Sequence, residues 1–380
     1  MKIVLAPDSF KGNMSAPEVC DALAEGVLRA DAAATLHKIP LADGGEGTAR
    51  AITDAANGRF VSAPVRGPLG APLDAVFGLL EHGRVAVLDM ASASGIALLR
   101  REALDPLNAT SYGTGQLIVA ALESGAEELI IGIGGSATND GGLGLLSALG
   151  YRFLDAAGKP VGQGGHALAN IASVDVSGAH PRLKAVSIKV ACDVTNPLLG
   201  PNGASAVFGP QKGATPTMIA ALDAGLATLA AAWIRAGLTH NVEQPGDGAA
   251  GGVGAALRVC LGAQMESGAL LVMRYAGFFT ALSDAHLVIT GEGMTDRQTA
   301  AGKLCAVVAR ESRKAGVPVA LLSGALGAQP EALFGTFDYA VSTARGQIGL
   351  DAMLRDSRTD VSCAAENLIR AIRIGKQCST

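Results

Sequence analysis

Short apolar runs recur along the chain, separated by stretches in which apolar positions return every three or four residues, the alternation that strands and helices leave in a sequence. Residues 2–6 read as a strand ending in a turn, and Ser15 with Glu18 three positions later forms a capping box that opens a helix to about residue 29. Residues 35–40 read as a second strand, followed by a glycine loop and a helix over 48–56. This βαβα rhythm predicts a parallel sheet. From residue 60 the pattern changes. Strand runs at 60–65, 75–80 and 85–90 are joined by Gly/Pro turns with no helix, which predicts antiparallel pairing and a new module. A helix near 116–124, strands at 128–133 and 186–191, and an Ala-rich helix near 218–236 make the middle of the chain mixed α/β. After residue 282 the opening rhythm returns, with strands at 287–290, 318–323 and 339–342, a helix at 304–315 and a last helix ending near 374.

The predicted fold is therefore α/β: a Rossmann-like, three-layer parallel-sheet domain built from both ends of the chain (1–65 and 285–380), with a mixed α/β domain inserted at 66–284. Assigning the strands near 85 and 128 to the terminal sheet would shrink that insertion. Composition supports two cores, since 49% of the 380 residues are hydrophobic, and it excludes disorder. A net charge of −4 lacks the surplus of Lys and Arg that nucleic-acid binding needs, so no nucleic-acid partner is expected.

Mean hydropathy of +0.33 raises the question of a membrane. The most suspect stretch, 269–282, is interrupted by Arg274 and is too short to span, so it reads as buried core. The first residues lack the length of a signal peptide, and six cysteines without a CxxC pair read as free thiols, mostly core fillers, of a cytoplasmic protein. No HExxH or His/Cys cluster indicates zinc. The sequence is compatible with a homodimer.

Short polar loops, most of them setting glycine beside acidic or hydroxyl residues, occur at six places: Asp8-Ser9-Phe10-Lys11-Gly12, Asp43-Gly44-Gly45-Glu46-Gly47-Thr48, the run from Gly132 to Gly142, the segment from Asp193 to Pro197, Gly209 to Gly213 around Lys212, and Gly291-Glu292-Gly293 continuing to Gly302-Lys303. Most of them directly follow a strand, at the edge where parallel sheets bind ligands. Glycine lets backbone N–H groups approach an anion, and carboxylates supply hard ligands for Mg²⁺ or a base for a hydroxyl. Taken singly, each loop is also compatible with a tight turn and each Asp with a helix cap. Their recurrence points to a phosphorylated ligand. An ordinary P-loop is absent, because Arg297 stands five positions before Gly302.

These same segments, together with Gly135-Ser136-Ala137-Thr138-Asn139-Asp140, Asp193-Val194-Thr195-Asn196-Pro197 and Gln211-Lys212-Gly213, resemble the bacterial glycerate kinase family, nearly end to end. Departures are confined to Leu304-Cys305, where the family usually continues with a proline, and to residues 347–360. The resemblance implies two α/β domains with an active site in the cleft between them, and ATP-dependent conversion of D-glycerate to 2-phospho-D-glycerate, with ATP, Mg²⁺ and D-glycerate as the small-molecule partners.

Within that frame, chemistry assigns the roles. Asp193 is expected to orient or deprotonate the attacking hydroxyl, and Lys11 and Lys303 to contact the transferring phosphoryl group or the glycerate carboxylate. Asp8, Ser9, Asn196 and Lys212 are candidate substrate contacts. Gly134, Gly135, Ser136, Thr138 and Asp140 are expected at the nucleotide phosphates, and Asp43 and Glu46, with Asp296 in reserve, at Mg²⁺. Two other classes fit parts of the pattern. An NAD(P)-dependent oxidoreductase would use the Gly132-x-Gly134-x-x-Ala137 fingerprint but lacks a clear ribose acid; a non-catalytic small-acid-binding protein would leave the Mg²⁺-type carboxylates unexplained.

Overall fold

The computed structural model describes residues 1–10, 12–41, 47–295, 304–327, 333–346 and 349–378. It is mixed α/β with parallel sheets, and it divides into two units, Met1–Asp43 with Ala269–Thr380, and Gly44–Gly268.

In the first unit the apolar runs pair in parallel. The spatial order is Tyr339–Ser342, Val319–Ser323, Leu287–Thr290, Lys2–Leu5, Thr35–Lys38. Ile3, Leu5, Ile289 and Leu322 pack against Val19, Leu23 and Val27 of helix Ala16–Ala30 and Val361, Leu368 and Ile369 of helix Leu350–Cys378. Their alternates Val4, Val288 and Leu321 are equally buried, as side chains that leave the opposite face of a strand would be when both faces are covered. The expected capping box is present: the Ser15 backbone N–H donates to the Glu18 carboxylate at 2.8 Å.

The second unit holds a six-stranded sheet in the order Gln264–Glu266, Ser187–Ala191, Glu128–Gly132, Val85–Asp89, Pro72–Leu80, Arg59–Arg66. The first four strands are mutually parallel, and the last two add antiparallel, as the turn-rich stretch predicts. Helix Pro216–Arg235 is long and apolar enough to cross a membrane by composition alone. Its Leu222, Leu226, Leu229 and Trp233 are instead fully buried within this unit. In the first unit, the stretch 269–282 forms two short helices, Gly268–Tyr275 and Phe278–Leu282, and buries Leu271, Val272, Met273 and Phe278, in keeping with its reading as core.

The units divide at 43/44 and 268/269, not at the 65/66 and 284/285 boundaries expected from the pattern. Strand Arg59–Arg66 pairs along its whole length with Pro72–Leu80, and helix Thr48–Ala55 packs on the same sheet, so both belong to the second unit. The strands near 85 and 128 also lie in this sheet and do not extend the terminal one.

Gly26 sets the spacing of the two long helices of the first unit. A Cβ there would lie 2.0 Å from the Ser362 carbonyl oxygen and 2.9 Å from Ala365 Cβ. Alanine would gain about 1 kcal/mol of helix propensity but force an overpacking that costs about 1–3 kcal/mol. Gly26→Ala is expected to lower the urea midpoint and Gly26→Val to lower it further; a raised midpoint for the alanine variant would show that the helices can move apart freely.

Candidate active site

In the first unit, strand Lys2–Leu5 lies beside Leu287–Thr290, and the strand order reverses at this pair: the chain leaves one for Thr35–Lys38 on one side and the other for Val319–Ser323 on the opposite side. Loops after such a pair diverge and leave a crevice at the carboxyl edge. Asp8 and Glu292 stand there, each less than one-tenth exposed. The Asp8 backbone N–H donates to the Gly291 carbonyl at 2.8 Å, and Asp8 Oδ1 accepts from the Ser9 N–H at 2.6 Å. The Thr295 hydroxyl lies 2.9 Å from both Glu292 Oε1 and Ser323 Oγ. Glycine is required at 291, since a Cβ would meet the Leu322 carbonyl oxygen at 2.2 Å. A cavity of about 340 Å³ opens beside these groups.

Cys305 is buried nearby, and desolvation, reinforced by the Glu292 charge, pushes its thiol well above the usual range. It is a core filler, as is Cys20, but Cys192, Cys260 and Cys363 are half-buried and Cys378 is exposed, so fewer of the cysteines fill the core than expected.

In the second unit, three neighbouring parallel strands end in register at Asp89, Gly132 and Ala191. The loops after Gly132 and Ala191 carry about half of the predicted residues. Gly134 and Gly135 remain accessible, whereas Ser136, Thr138, Asn139 and Asp140 are buried. Lys212, predicted as a substrate contact, is buried completely. Its Nζ donates to Ser136 Oγ at 3.0 Å and to the Thr138 carbonyl at 2.6 Å. Burial lowers its pKa to about 7, and the nearby Asp140 charge opposes that shift.

Asp140 does not meet the expectation of a phosphate contact. It is wholly buried, and Oδ2 accepts from the Ser111 N–H and hydroxyl at 2.8 Å each and from the Gly144 N–H at 3.2 Å, while Oδ1 accepts from the Gly142 N–H at 3.1 Å. Desolvation raises its pKa, and these donors pull it back. The carboxyl thus anchors the starts of helices Tyr112–Glu123 and Leu143–Ala148. Thr138 Oγ1 and Asn139 Oδ1 are buried without a hydrogen-bond partner among the described residues.

Asp193 is exposed just beyond strand Ser187–Ala191, and its Oδ1 accepts from the Gly268 N–H at 3.1 Å. Asn196 Nδ2 donates to the Asn202 carbonyl at 2.9 Å, and the Asn196 carbonyl accepts from the Gly248 N–H at 3.0 Å. The structure therefore joins Ser136, Thr138 and Lys212 in direct contact and pairs Asp8 with Ser9. Lys11, Asp43, Glu46, Asp296 and Lys303 lie outside the described residues, and among the described residues no three His, Cys, Asp or Glu side chains gather as a metal site would require.

One structural carboxylate escaped the sequence reading. Asp89 is buried and accepts from the N–H groups of Gly47 (3.0 Å) and Ala49 (3.1 Å) at the start of helix Thr48–Ala55. Its signal was an Asp closing the apolar run Val85–Asp89, directly opposite Gly132 in the neighbouring strand.

This arrangement defines a class: an α/β protein of two units whose polar loops collect at the carboxyl edges of parallel strands, as small-molecule enzymes place them. The comparisons narrow it. Residues 3–373 match the profile of the Glycerate kinase family, and the chain belongs to that family. It is 44% identical over 377 residues to a glycerate kinase of Bacillus subtilis, with 99% of each chain covered. It is likewise 44% identical over 376 residues to a glycerate 2-kinase of Escherichia coli, again covering 99% of each. A crystal structure described as glycerate kinase 2, from Salmonella typhimurium LT2, superposes with a TM-score of 0.90 at 45% identity over 99% of both chains.

The buried lysine generates a pH test. An ordinary unfolded lysine keeps its proton to above pH 10, whereas Lys212 in the fold releases it near 7. Between those values the unfolded state binds more protons, so this residue makes stability rise with pH, by roughly 1.4 kcal/mol per unit at most. Lys212→Met removes that contribution. The gap in melting temperature between Lys212→Met and wild type should therefore shift steadily toward wild type from pH 7 to 9.5; a gap independent of pH would show that the native lysine stays charged.

Proposed function

We propose that this protein is a glycerate 2-kinase, transferring the γ-phosphoryl group of ATP to the 2-hydroxyl of D-glycerate. The observation that carries this reading is identity of 44% along essentially the whole chain to relatives named glycerate kinase and glycerate 2-kinase. The fold is compatible with the chemistry, since phosphoryl transfer depends chiefly on positioning and charge stabilisation by groups on rigid loops. In the first unit, a Rossmann-like use of the sheet would place ligand at the carboxyl edge beside Asp8, Ser9 and Glu292. In the second, Gly134 and Gly135 offer backbone to phosphate, with Lys212 and Ser136 holding their loop in shape rather than touching substrate.

ATP would enter as its Mg²⁺ complex. Asp43, Glu46 and Asp296 remain the proposed metal ligands, oxygen donors of the kind Mg²⁺ takes. Lys11 and Lys303 keep their proposed place on phosphoryl oxygens or the glycerate carboxylate. Asp193 keeps the proposed task of orienting or deprotonating the hydroxyl, alongside its contact with the Gly268 N–H.

Regiochemistry tests the reading directly. Incubation with ATP, Mg²⁺ and D-glycerate should give a product that enolase consumes without added phosphoglycerate mutase, with a phosphorus NMR signal for the 2-phosphate. A product that needs the mutase first would assign transfer to the 3-hydroxyl.

Asp193→Asn separates catalysis from capping. Loss of an aligning or proton-accepting carboxylate should lower kcat by about two orders of magnitude with nucleotide affinity little changed. A folded variant with wild-type kcat would confine Asp193 to the start of helix Gly268–Tyr275.

A further inference from the structure

The cavity of the first unit has polar groups on part of its wall, Asp8, Glu292 and Asp360 among them, and elsewhere apolar side chains that phosphoryl transfer does not call for. Phe10 comes from the loop after the first strand, Met294 from the loop after its neighbour, and Leu350, Met353 and Leu354 from the opening turns of the C-terminal helix. Met294, Leu350 and Leu354 are 58%, 67% and 42% exposed. Large apolar side chains that line one opening while facing solvent mark a binding surface. The wall is also fastened in advance: Asn13 Nδ2 donates to the Leu354 carbonyl at 2.5 Å, and Asn13 Oδ1 accepts from the Ser357 hydroxyl at 2.7 Å.

We propose that this cavity receives the adenosine moiety of ATP. The inference rests on the kinase reading, which supplies two substrates that could fill it, and their chemistry separates them. D-Glycerate carries oxygen on each of its three carbons and presents no apolar face, so setting it against Phe10, Leu350, Met353 and Leu354 would strip water from groups these residues cannot satisfy. A purine has two apolar faces and a polar rim, and a volume of about 340 Å³ falls within the range of small-molecule sites. Asp8 and Glu292, at the strand ends on the cavity wall, are acceptors of the type that takes ribose hydroxyls. The reversal of strand order places the opening where parallel sheets hold nucleotides.

Calorimetric titration of the full chain with adenosine, ADP and D-glycerate, each alone, tests this. Adenosine and ADP should bind the wild type. Met353→Glu and Leu354→Glu should each weaken both by tenfold or more and raise KM for ATP to match, with D-glycerate affinity held within twofold. Leu350→Glu, at the most exposed of these positions, serves if either variant loses its native circular dichroism. Folded variants that bind adenosine and ADP as the wild type does would overturn the proposal, and so would variants that lose D-glycerate binding alone. Variant-sensitive adenosine binding in a chain that phosphorylates no glycerate would keep the pocket and refute the kinase reading; turnover with adenosine binding indifferent to all three substitutions would do the reverse.

Discussion

A fully buried lysine amine is the constraint on which one loop of the second unit depends. Keeping it out of water costs several kcal/mol while it is charged, unless acceptors replace the lost hydration. For Lys212 these are Ser136 Oγ and the Thr138 carbonyl, both in the loop that follows the strand Glu128–Gly132. Two residues further on, Asp140 gathers donors from Ser111, Gly142 and Gly144. One short segment thereby binds the 3-10 turn of Lys212 and the starts of two helices, and its shape follows from satisfying two buried ionisable groups rather than from apolar packing. Gly134 and Gly135 lie at the accessible end of this anchored segment, where solvent reaches them.

The two units distribute polarity differently. The second buries its polar loop residues among themselves, whereas the first leaves an open, mostly apolar cavity with carboxylates at one wall. An enzyme whose substrates are a small polar acid and a nucleotide needs both kinds of surface, because a hydroxy acid is recognised through hydrogen bonds and a base through its faces.

Much of the fold was legible because strand runs and helix periods are local signals. The strand Leu287–Thr290, the capping box at Ser15 and Glu18, and the switch to antiparallel pairing after residue 59 all follow from spacing within a dozen residues. The unit boundary was not, since strand Arg59–Arg66 follows a βαβα opening in the sequence but takes its partner from the strand after it. Loop by loop, the sequence marks where polar residues gather, but not which partners each one takes. Lys212 between a proline-led turn and Gly213 looks like a solvent-facing lysine, and only long-range packing reveals that its ammonium ends beneath Ser136 and Thr138. Asp140 and Asp89 likewise look like ligands or caps equally well until their donors are known.

The composite make-up of the first unit has a consequence for synthesis. Strand Lys2–Leu5 can pair early with Thr35–Lys38, but its other edge waits for Leu287–Thr290. At ribosomal rates of 5–20 residues per second that interval is roughly 15–60 s. The second unit, continuous in sequence, has time to fold in the meantime, while an apolar strand edge at the front of the chain stays unpaired. Assembly of the first unit is therefore a late event that closes over a segment made long before, and the nascent chain is most open to aggregation or chaperone capture just when most of its length is already folded.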